Sequence, residues 1–298
     1  KPDKEIEVKV EECHSFIKNK KILQLPFIRG VFNFVDSLVL GMKSLMFSAE
    51  FFMDDEEEEK EREKEEKQRK KGKDPEKENS ILLGFTVAFS IVLAVGVFMI
   101  LPYFISLLFQ KLTDSQLLIS IAEGVVRILI FVGYILLISR MKDIQRTFMY
   151  HGAEHKCINC VEHGLPLTVE NVMASSRQHK RCGTSFLFLV MLVSIFLHFI
   201  FVLVPVYWVR LFGRLLMVPV VAGISFEIIQ WAGRSDSKLA NFFSKPGLAM
   251  QLLTTKEPTE DMAEVAIKAV EAVFDWRAYL KEEFGKDIPY EDTEEVNP

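Results

Sequence analysis

Apolar residues in this chain are gathered into long segments separated by strongly charged stretches. Residues 81–101 and 117–139 are two such segments, each about twenty residues long and nearly free of charge. A helix of about twenty residues, rising 1.5 Å per residue, crosses the roughly 30 Å of bilayer hydrocarbon. Residues 184–204 form a third segment, and residues 215–231, which contain Pro219 and Gly223, form a shorter fourth. The pattern predicts an all-α polytopic membrane protein with about four transmembrane helices.

Other parts of the chain have amphipathic patterns. Residues 25–52 alternate apolar and polar positions at the helical period, which predicts an interfacial or re-entrant helix, or else a helix packed on the protein's own core. Near the start, Ile6, Val8 and Val10 alternate with charged residues, which predicts a strand in a small cytosolic β element. Thr259 precedes a run with one apolar face, so we expect cytosolic helices near the carboxyl end.

The charges are segregated from the apolar segments, since 49% of residues are hydrophobic and 26% are charged. Residues 54–77 are almost wholly charged and of both signs, which is typical of a solvated helix or a disordered linker and makes nucleic acid an improbable partner. The predicted organisation is a β element, truncated in this chain (1–24), an amphipathic helix (25–52), a charged linker (53–80), a transmembrane hairpin (81–139), a His/Cys loop (140–183), a second hairpin (184–232) and a cytosolic helical region (233–298).

Basic residues predict the orientation. The segment 140–183 contains seven lysines and arginines, whereas the link 109–116 contains only Lys111. Because short loops rich in Lys and Arg stay in the cytosol, we expect both termini and the His/Cys loop there. Arg210 and Arg214, at the outer end of the last segment, are the exception to this pattern. Cysteines of the loop would then face a reducing compartment, where clustered thiols more often bind metal or react than form disulfides.

The His/Cys loop concentrates metal-binding residue types. Four of the six histidines and three of the four cysteines lie between residues 151 and 182. On a helix His151, Glu154 and His155 share one face, which suits a divalent metal with the carboxylate as ligand or as general base. The pattern H-x-x-E-H is that of an inverted zinc-protease motif. His179 and Cys182 could complete the shell from a second element, and zinc is the favoured metal.

The same residues have a plainer interpretation. Histidine and glutamate near a membrane can bond backbone groups at helix ends, cysteine can be a small buried apolar residue, and Lys180 and Arg181 can be membrane anchors. Cys157 and Cys160 have the spacing of a zinc knuckle, but a continuous helix directs them away from the histidines.

Ionisable residues inside the apolar segments are costly and usually face protein or water. Glu123 and Arg127 are four residues apart, so they can neutralise each other. Glu227 lies in the last segment, where it can reach Arg234 or line a polar path.

Six ordered motifs resemble the bacterial membrane family called domain of unknown function 1385. They are Pro26-Phe27-Ile28-Arg29-Gly30, His151-Gly152-Ala153-Glu154-His155-Lys156, Arg181-Cys182-Gly183-Thr184-Ser185-Phe186, Ser225-Phe226-Glu227-Ile228, Pro246-Gly247-Leu248 and Leu253-Thr254-Thr255. The resemblance spans nearly the whole chain and implies a bacterial plasma-membrane protein of a family commonly labelled as metal-dependent enzymes. The site residues that it implies are His151, Glu154, His155, Lys156, His179, Arg181 and Cys182.

Three functional classes follow from these observations. The first is a metal-dependent hydrolase acting on a lipid or peptide at the cytosolic membrane surface, with Glu154 as base. The second is a non-catalytic factor for membrane-protein insertion or assembly, associated with the protein-export machinery, in which the His/Cys cluster is a structural staple. The third is a transporter or channel with Glu227 as its coupling residue. The expected partners are the lipid bilayer and other membrane proteins, and the expected cofactor is a divalent metal alone.

Overall fold

The computed structural model describes residues 5–11, 21–49, 75–204, 206–235 and 237–289, and the regular elements within them are all helical. Short 3₁₀ turns at Lys21–Gln24, Phe109–Lys111 and Phe199–Leu203 and a π-helical turn at Gly96–Ile100 accompany the α-helices. These helices are α1 (Ile28–Ala49), α2 (Pro75–Val95), α3 (Leu101–Leu108), α4 (Gln116–Ile138), α5 (Lys142–Glu162), α6 (Val169–Ala174), α7 (Gly183–His198), α8 (Tyr207–Leu216), α9 (Val218–Arg234), α10 (Lys238–Thr254), α11 (Glu260–Glu271) and α12 (Trp276–Phe284).

Four helical segments are long and apolar enough to cross a membrane: Ile28–Ser48, Ile81–Lys111, Gln116–Ile138 and Gly183–Phe201. The predicted number of about four is confirmed, but the set differs: three of the predicted spans are among the four, and the other is α1, the predicted interfacial or re-entrant helix. The fourth predicted span is interrupted, because Trp208–Leu216 and Val218–Arg234 meet at a bend of 43°. Pro219 explains the break, since its ring and missing N–H are tolerated in the first turn of a helix but not in its interior.

The predicted amino-terminal β element is wrong for the residues that the structure describes. Residues 5–11 form no strand, and Ile6, Val8 and Val10 are exposed. An alternating pattern makes a strand only when a neighbouring strand pairs with its backbone, and residues 5–11 have no such neighbour in the described structure. Residues 21–24 of that element form a 3₁₀ turn, and its residues 1–4 and 12–20, like the charged run up to residue 74, lie outside the described residues.

The chain divides into two compact units, one formed mainly from Ser15–Gly133 and Val193–Gly223 and the other mainly from Tyr134–Leu192 and Ile224–Pro298.

In the first unit, apolar side chains lie on the surface and charged side chains lie inside, which is the reverse of a soluble protein. On α8 the apolar side chains of Trp208, Phe212 and Leu216 are 51%, 64% and 80% exposed, whereas Arg210 and Arg214 are buried. Exposed apolar and buried charged faces are expected where the surrounding solvent is lipid.

The second unit has a small conventional core outside the apolar helices. Cys157 and Cys160 on α5, Val172 on α6, and Trp276 and Leu280 near the carboxyl end pack together in one buried cluster. Helix α11 contributes Ala263 and Ile267 to it, so the carboxyl-terminal helices pack against the His/Cys segment. This core holds α5 in place and thereby positions the polar face described next.

Candidate metal centre

The centre of the site is formed by His151 and His155 on α5 and by Cys182, which directly precedes α7. Each residue offers one ligand atom, and the three atoms all lie within 4.8 Å of one another. The two imidazole centroids are 4.4 Å apart, as expected for residues one helical turn apart. The group is mostly buried, and it could hold a metal ion.

Backbone carbonyls select which nitrogen of each histidine is available. Nδ1 of His151 lies 2.9 Å from the Thr254 carbonyl oxygen, and Nδ1 of His155 lies 2.7 Å from the Arg177 carbonyl oxygen. A carbonyl oxygen can only accept, so both Nδ1 atoms carry a proton and donate it. The Nε2 lone pairs are therefore the ligand atoms, and the carbonyls orient the rings as they do around metal-binding histidines.

Cys182 lies in surroundings that favour its thiolate. Burial alone would raise the pKa of the thiol, but hydrogen bonds with His151, His155 and Thr184 outweigh it and lower the pKa to about 5. The sulfur is 3.2 Å from Nε2 of His151 and 3.0 Å from the Thr184 hydroxyl, and it accepts a longer bond from the Thr184 N–H at the start of α7. Burial acts to lower the pKa of His151, but the interaction with the Cys182 sulfur raises it overall.

Side chains of α5 anchor the segment that brings Cys182 to the histidines. The ammonium of Lys156 donates to the carbonyls of Met173 and Ser175 and pairs with Glu257 at 3.0 Å. Asn159 donates to the carbonyls of Ser176 and Gln178. Lys156 is thus an internal support for the site, and its burial is compensated by these three partners.

A second anchor comes from the end of α10. The buried side chain of Gln251 accepts from the N–H of His179 at 2.8 Å and donates to its carbonyl at 2.7 Å, so it holds that backbone from both sides. The segment after α10 also contacts α5 directly. A Cβ on Gly152 would collide with the Lys256 carbonyl oxygen, and the Lys256 N–H donates to the Phe148 carbonyl. Glycine at 152 therefore lets the segment after α10 lie directly on α5.

The other predicted site residues lie around this centre. The His179 ring is 5.9 Å from that of His155, and its Nε2 is 3.1 Å from Glu162. Arg181 forms an ion pair with Glu162 as well. Glu154 is exposed on α5, one residue before His155. The metal role of His179 and the base role of Glu154 stay predictions.

Cys157 and Cys160 point into the core and away from the site, as their helical positions indicate. Burial, followed by the charges of Cys160 and Glu154, raises the pKa of Cys157 to about 12, and burial raises that of Cys160. These thiols are structural.

Sequence reasoning missed the supporting residues. Thr254 belongs to a motif that the family resemblance contains, but its part is a backbone carbonyl, which no residue type signals. Gln251, Asn159 and Glu257 act at sequence separations that no local pattern covers. Of the predicted intramembrane residues, Glu123 and Arg127 form the expected pair at 2.9 Å, and Glu227 is partly buried in α9.

Fold and site together define a helical protein with membrane-like spans and a His/His/Cys group capable of holding a metal. The chain belongs to the family described as "Protein of unknown function (DUF1385)", whose model matches residues 25–276. It is similar to the "Uncharacterized protein YqhQ" of Bacillus subtilis (strain 168), with 36% identity over 256 residues that cover 83% of this chain and 76% of the relative. No solved structure matches the chain significantly.

Proposed function

We propose that this protein is a metal-dependent hydrolase that works at the cytosolic surface of the bacterial plasma membrane. The observation that carries the proposal is the convergence of two imidazole nitrogens and one cysteine sulfur within 4.8 Å, with both rings oriented by backbone carbonyls. Three protein ligands with one open position are the usual arrangement of a catalytic zinc site.

Ligand spacing supports a tetrahedral ion. Zinc bonds of about 2.0–2.1 Å to nitrogen and 2.3 Å to sulfur imply ligand separations of roughly 3.3–3.6 Å. The His151 to Cys182 separation of 3.2 Å is within a few tenths of that range. The largest separation between ligand atoms is within 4.8 Å, which is about 1 Å more than the tetrahedral value. Small side-chain rotations would bring the ligand atoms to that value. Mixed imidazole and thiolate donors favour zinc among the divalent metals.

Chemistry at such a centre would follow from the remaining residues. A divalent ion held by His151, His155 and Cys182 would supply Lewis-acid activation of water. The Glu154 carboxylate is exposed on the same turn of α5 as His151 and His155, and it would be the proton acceptor and donor of the hydrolysis. The substrate class in this proposal is a lipid or peptide with a hydrolysable acyl bond at the membrane surface.

A second function is favoured by the position of His179, whose ring is 5.9 Å from that of His155. If His179 left Glu162 and became the fourth protein ligand, the shell would be closed and the metal would be structural. The protein would then be a non-catalytic factor for membrane-protein assembly, with the export machinery as its partner.

Elemental analysis of purified protein tests metal binding. We expect near-equimolar zinc in the parent chain and at least a tenfold loss in His155→Ala and Cys182→Ser, because a four-coordinate site cannot spare a ligand. His163→Gln and Cys157→Ala are matched controls, since His163 is exposed and bonded to its own helix and Cys157 lies in the core. Equal metal content in all five proteins would contradict the proposal.

Two further measurements distinguish a catalytic metal site from a structural one. X-ray absorption should count two imidazole rings and one sulfur for an open site, and three imidazole rings and one sulfur for a closed one, because the outer atoms of each ring add their own scattering. The Glu154→Gln protein should keep its metal and melting temperature but fail to complement a deletion strain if Glu154 is the base. Full complementation by a metal-loaded Glu154→Gln protein would exclude this catalytic role.

A further inference from the structure

The first unit buries more positive than negative charge. Among its described residues the buried ionised side chains are Arg127, Arg210 and Arg214 against Glu123 alone, a formal excess of two positive charges. Arg127 lies midway along α4, which is one of the segments able to cross a membrane. Uncompensated charge at such depth is costly, and protein groups there usually pair with one another or with a ligand.

Glu123 is already shared by two arginines. Arg127 Nη2 lies 2.9 Å from Glu123 Oε1, and Arg214 Nη1 lies 2.6 Å and 2.5 Å from the two carboxylate oxygens. The other contacts of these arginines are neutral. Arg127 contacts the Ser194 hydroxyl at 3.0 Å and Nδ1 of His198 at 3.1 Å, and the Arg214 guanidinium lies over the Tyr103 ring.

Two N–H donors of the cluster remain without a hydrogen bond to any described residue. They are Nε of Arg127 and Nε of Arg214, on side chains that are more than nine-tenths buried. Buried donors are almost always paired with protein, water or ligand. Among the described residues, the oxygens that Arg210 bonds are uncharged, those of Val204 and Gln116; Arg210 lies one turn before Arg214 on α8.

We propose that this arginine cluster, Arg127 and Arg214 around Glu123, is an anion site that takes a phosphate or carboxylate group within the membrane-spanning part of the protein. An anionic oxygen accepts from the two Nε–H groups and neutralises part of the excess charge. Hydrogen bonds between guanidinium N–H groups and an anionic oxygen are charge-assisted, and they are about twice as strong as those between neutral groups. The anion competes with the Glu123 carboxylate for the same two arginines.

Competition gives two variants with opposite effects. In Arg127→Met the ion pair of Glu123 with Arg214 remains and has no net charge, so the cluster has no excess positive charge to attract an anion. In Glu123→Gln the carboxylate competitor is gone while both arginines remain, so anion binding should strengthen. Arg140→Gln is the matched control for loss of one positive charge, because Arg140 is exposed and lies two residues after the end of α4.

Thermal unfolding of the purified protein is measured in nanodiscs of phosphatidylcholine alone, in nanodiscs that also contain phosphatidylglycerol, and in phosphatidylcholine nanodiscs with inorganic phosphate. Ionic strength is kept equal in all samples, so that the screening of exposed charges does not differ between them. We expect an anion to raise the melting temperature of the parent chain by about 5 °C. The apparent affinity for the anion, taken from the dependence of the melting temperature on anion concentration, should be at least about tenfold lower in Arg127→Met. The rise in melting temperature should be larger in Glu123→Gln and unchanged in Arg140→Gln.

A response to phosphatidylglycerol alone identifies a lipid headgroup as the source, and a response to phosphate alone identifies a soluble anion. If Arg127→Met does not fold, the stronger response of Glu123→Gln still tests the proposal. No response in the parent chain, or the same response in Arg127→Met and Glu123→Gln as in the parent, would overturn it and leave the cluster as an internal ion pair.

Discussion

Replacing Gly152 by alanine tests how the site is assembled. The Cβ of the new residue would lie well inside the 3.4 Å at which ordinary contact with the Lys256 carbonyl oxygen begins. Both atoms belong to backbone elements, α5 and the segment after α10, so no side-chain rotation can relieve the collision. The segment after α10, and with it Thr254 at the end of α10, must move away from α5 by about 1 Å or more.

The energetic cost follows from the contacts that this movement stretches. Overpacking of a well-packed contact costs roughly 1–3 kcal/mol. The bonds from Lys256 N–H to the Phe148 carbonyl and from His151 Nδ1 to the Thr254 carbonyl contribute about 1 kcal/mol each. Alanine returns about 1 kcal/mol through its higher helix propensity. The net loss is about 3 kcal/mol, which corresponds to a melting temperature lower by roughly 6–12 °C.

The assay is thermal unfolding in detergent together with zinc content. Because His151 loses the carbonyl that orients it, we expect at least about a tenfold loss of metal affinity along with the lower stability. Gly183→Ala is the matched control, since Gly183 follows Cys182 directly and a Cβ there meets nothing within 4 Å. A Gly152→Ala protein with the stability and zinc content of the parent would refute the close contact between α5 and the segment after α10.

Two other predictions concern Cys182 and the orientation in the membrane. In chelator-treated protein the thiolate absorbance of Cys182, measured against Cys182→Ser, should titrate near pH 5, because hydrogen bonds from His151, His155 and Thr184 outweigh the effect of burial on the pKa. The zinc affinity should then fall as the pH decreases through that value. A titration midpoint near the ordinary pKa of 9.0 would contradict the geometry. Cys157, Cys160 and Cys182 are buried, so labelling of these thiols cannot report the topology. A cysteine introduced by Lys268→Cys, where the native side chain is 60% exposed, should react with an impermeant maleimide only after the cells are permeabilised. Stronger labelling than in the parent chain in intact cells would place the carboxyl-terminal region outside.

The features that the sequence determined are those controlled by neighbouring residues. Apolar length and composition predicted the helical, membrane-like character and about four spans, since the cost of leaving backbone groups unpaired in lipid depends on the segment itself. The helical period placed His151 and His155 on one face and turned Cys157 and Cys160 away from it. The pair of Glu123 and Arg127 followed from the same period.

Only the tertiary structure decided what meets across long separations. The strand predicted at Ile6 to Val10 failed because a strand needs a partner that local alternation cannot supply. Cys182 meets His151 across 31 residues, Thr254 orients His151 across 103, and Arg214 joins Glu123 across 91. Thr254 acts through its backbone carbonyl, and Arg214 shares Glu123 with Arg127. Neither feature has a sequence signature. Their positions depend on how helices pack, because a hydrogen bond or ion pair exists only when packing brings both groups within about 3 Å.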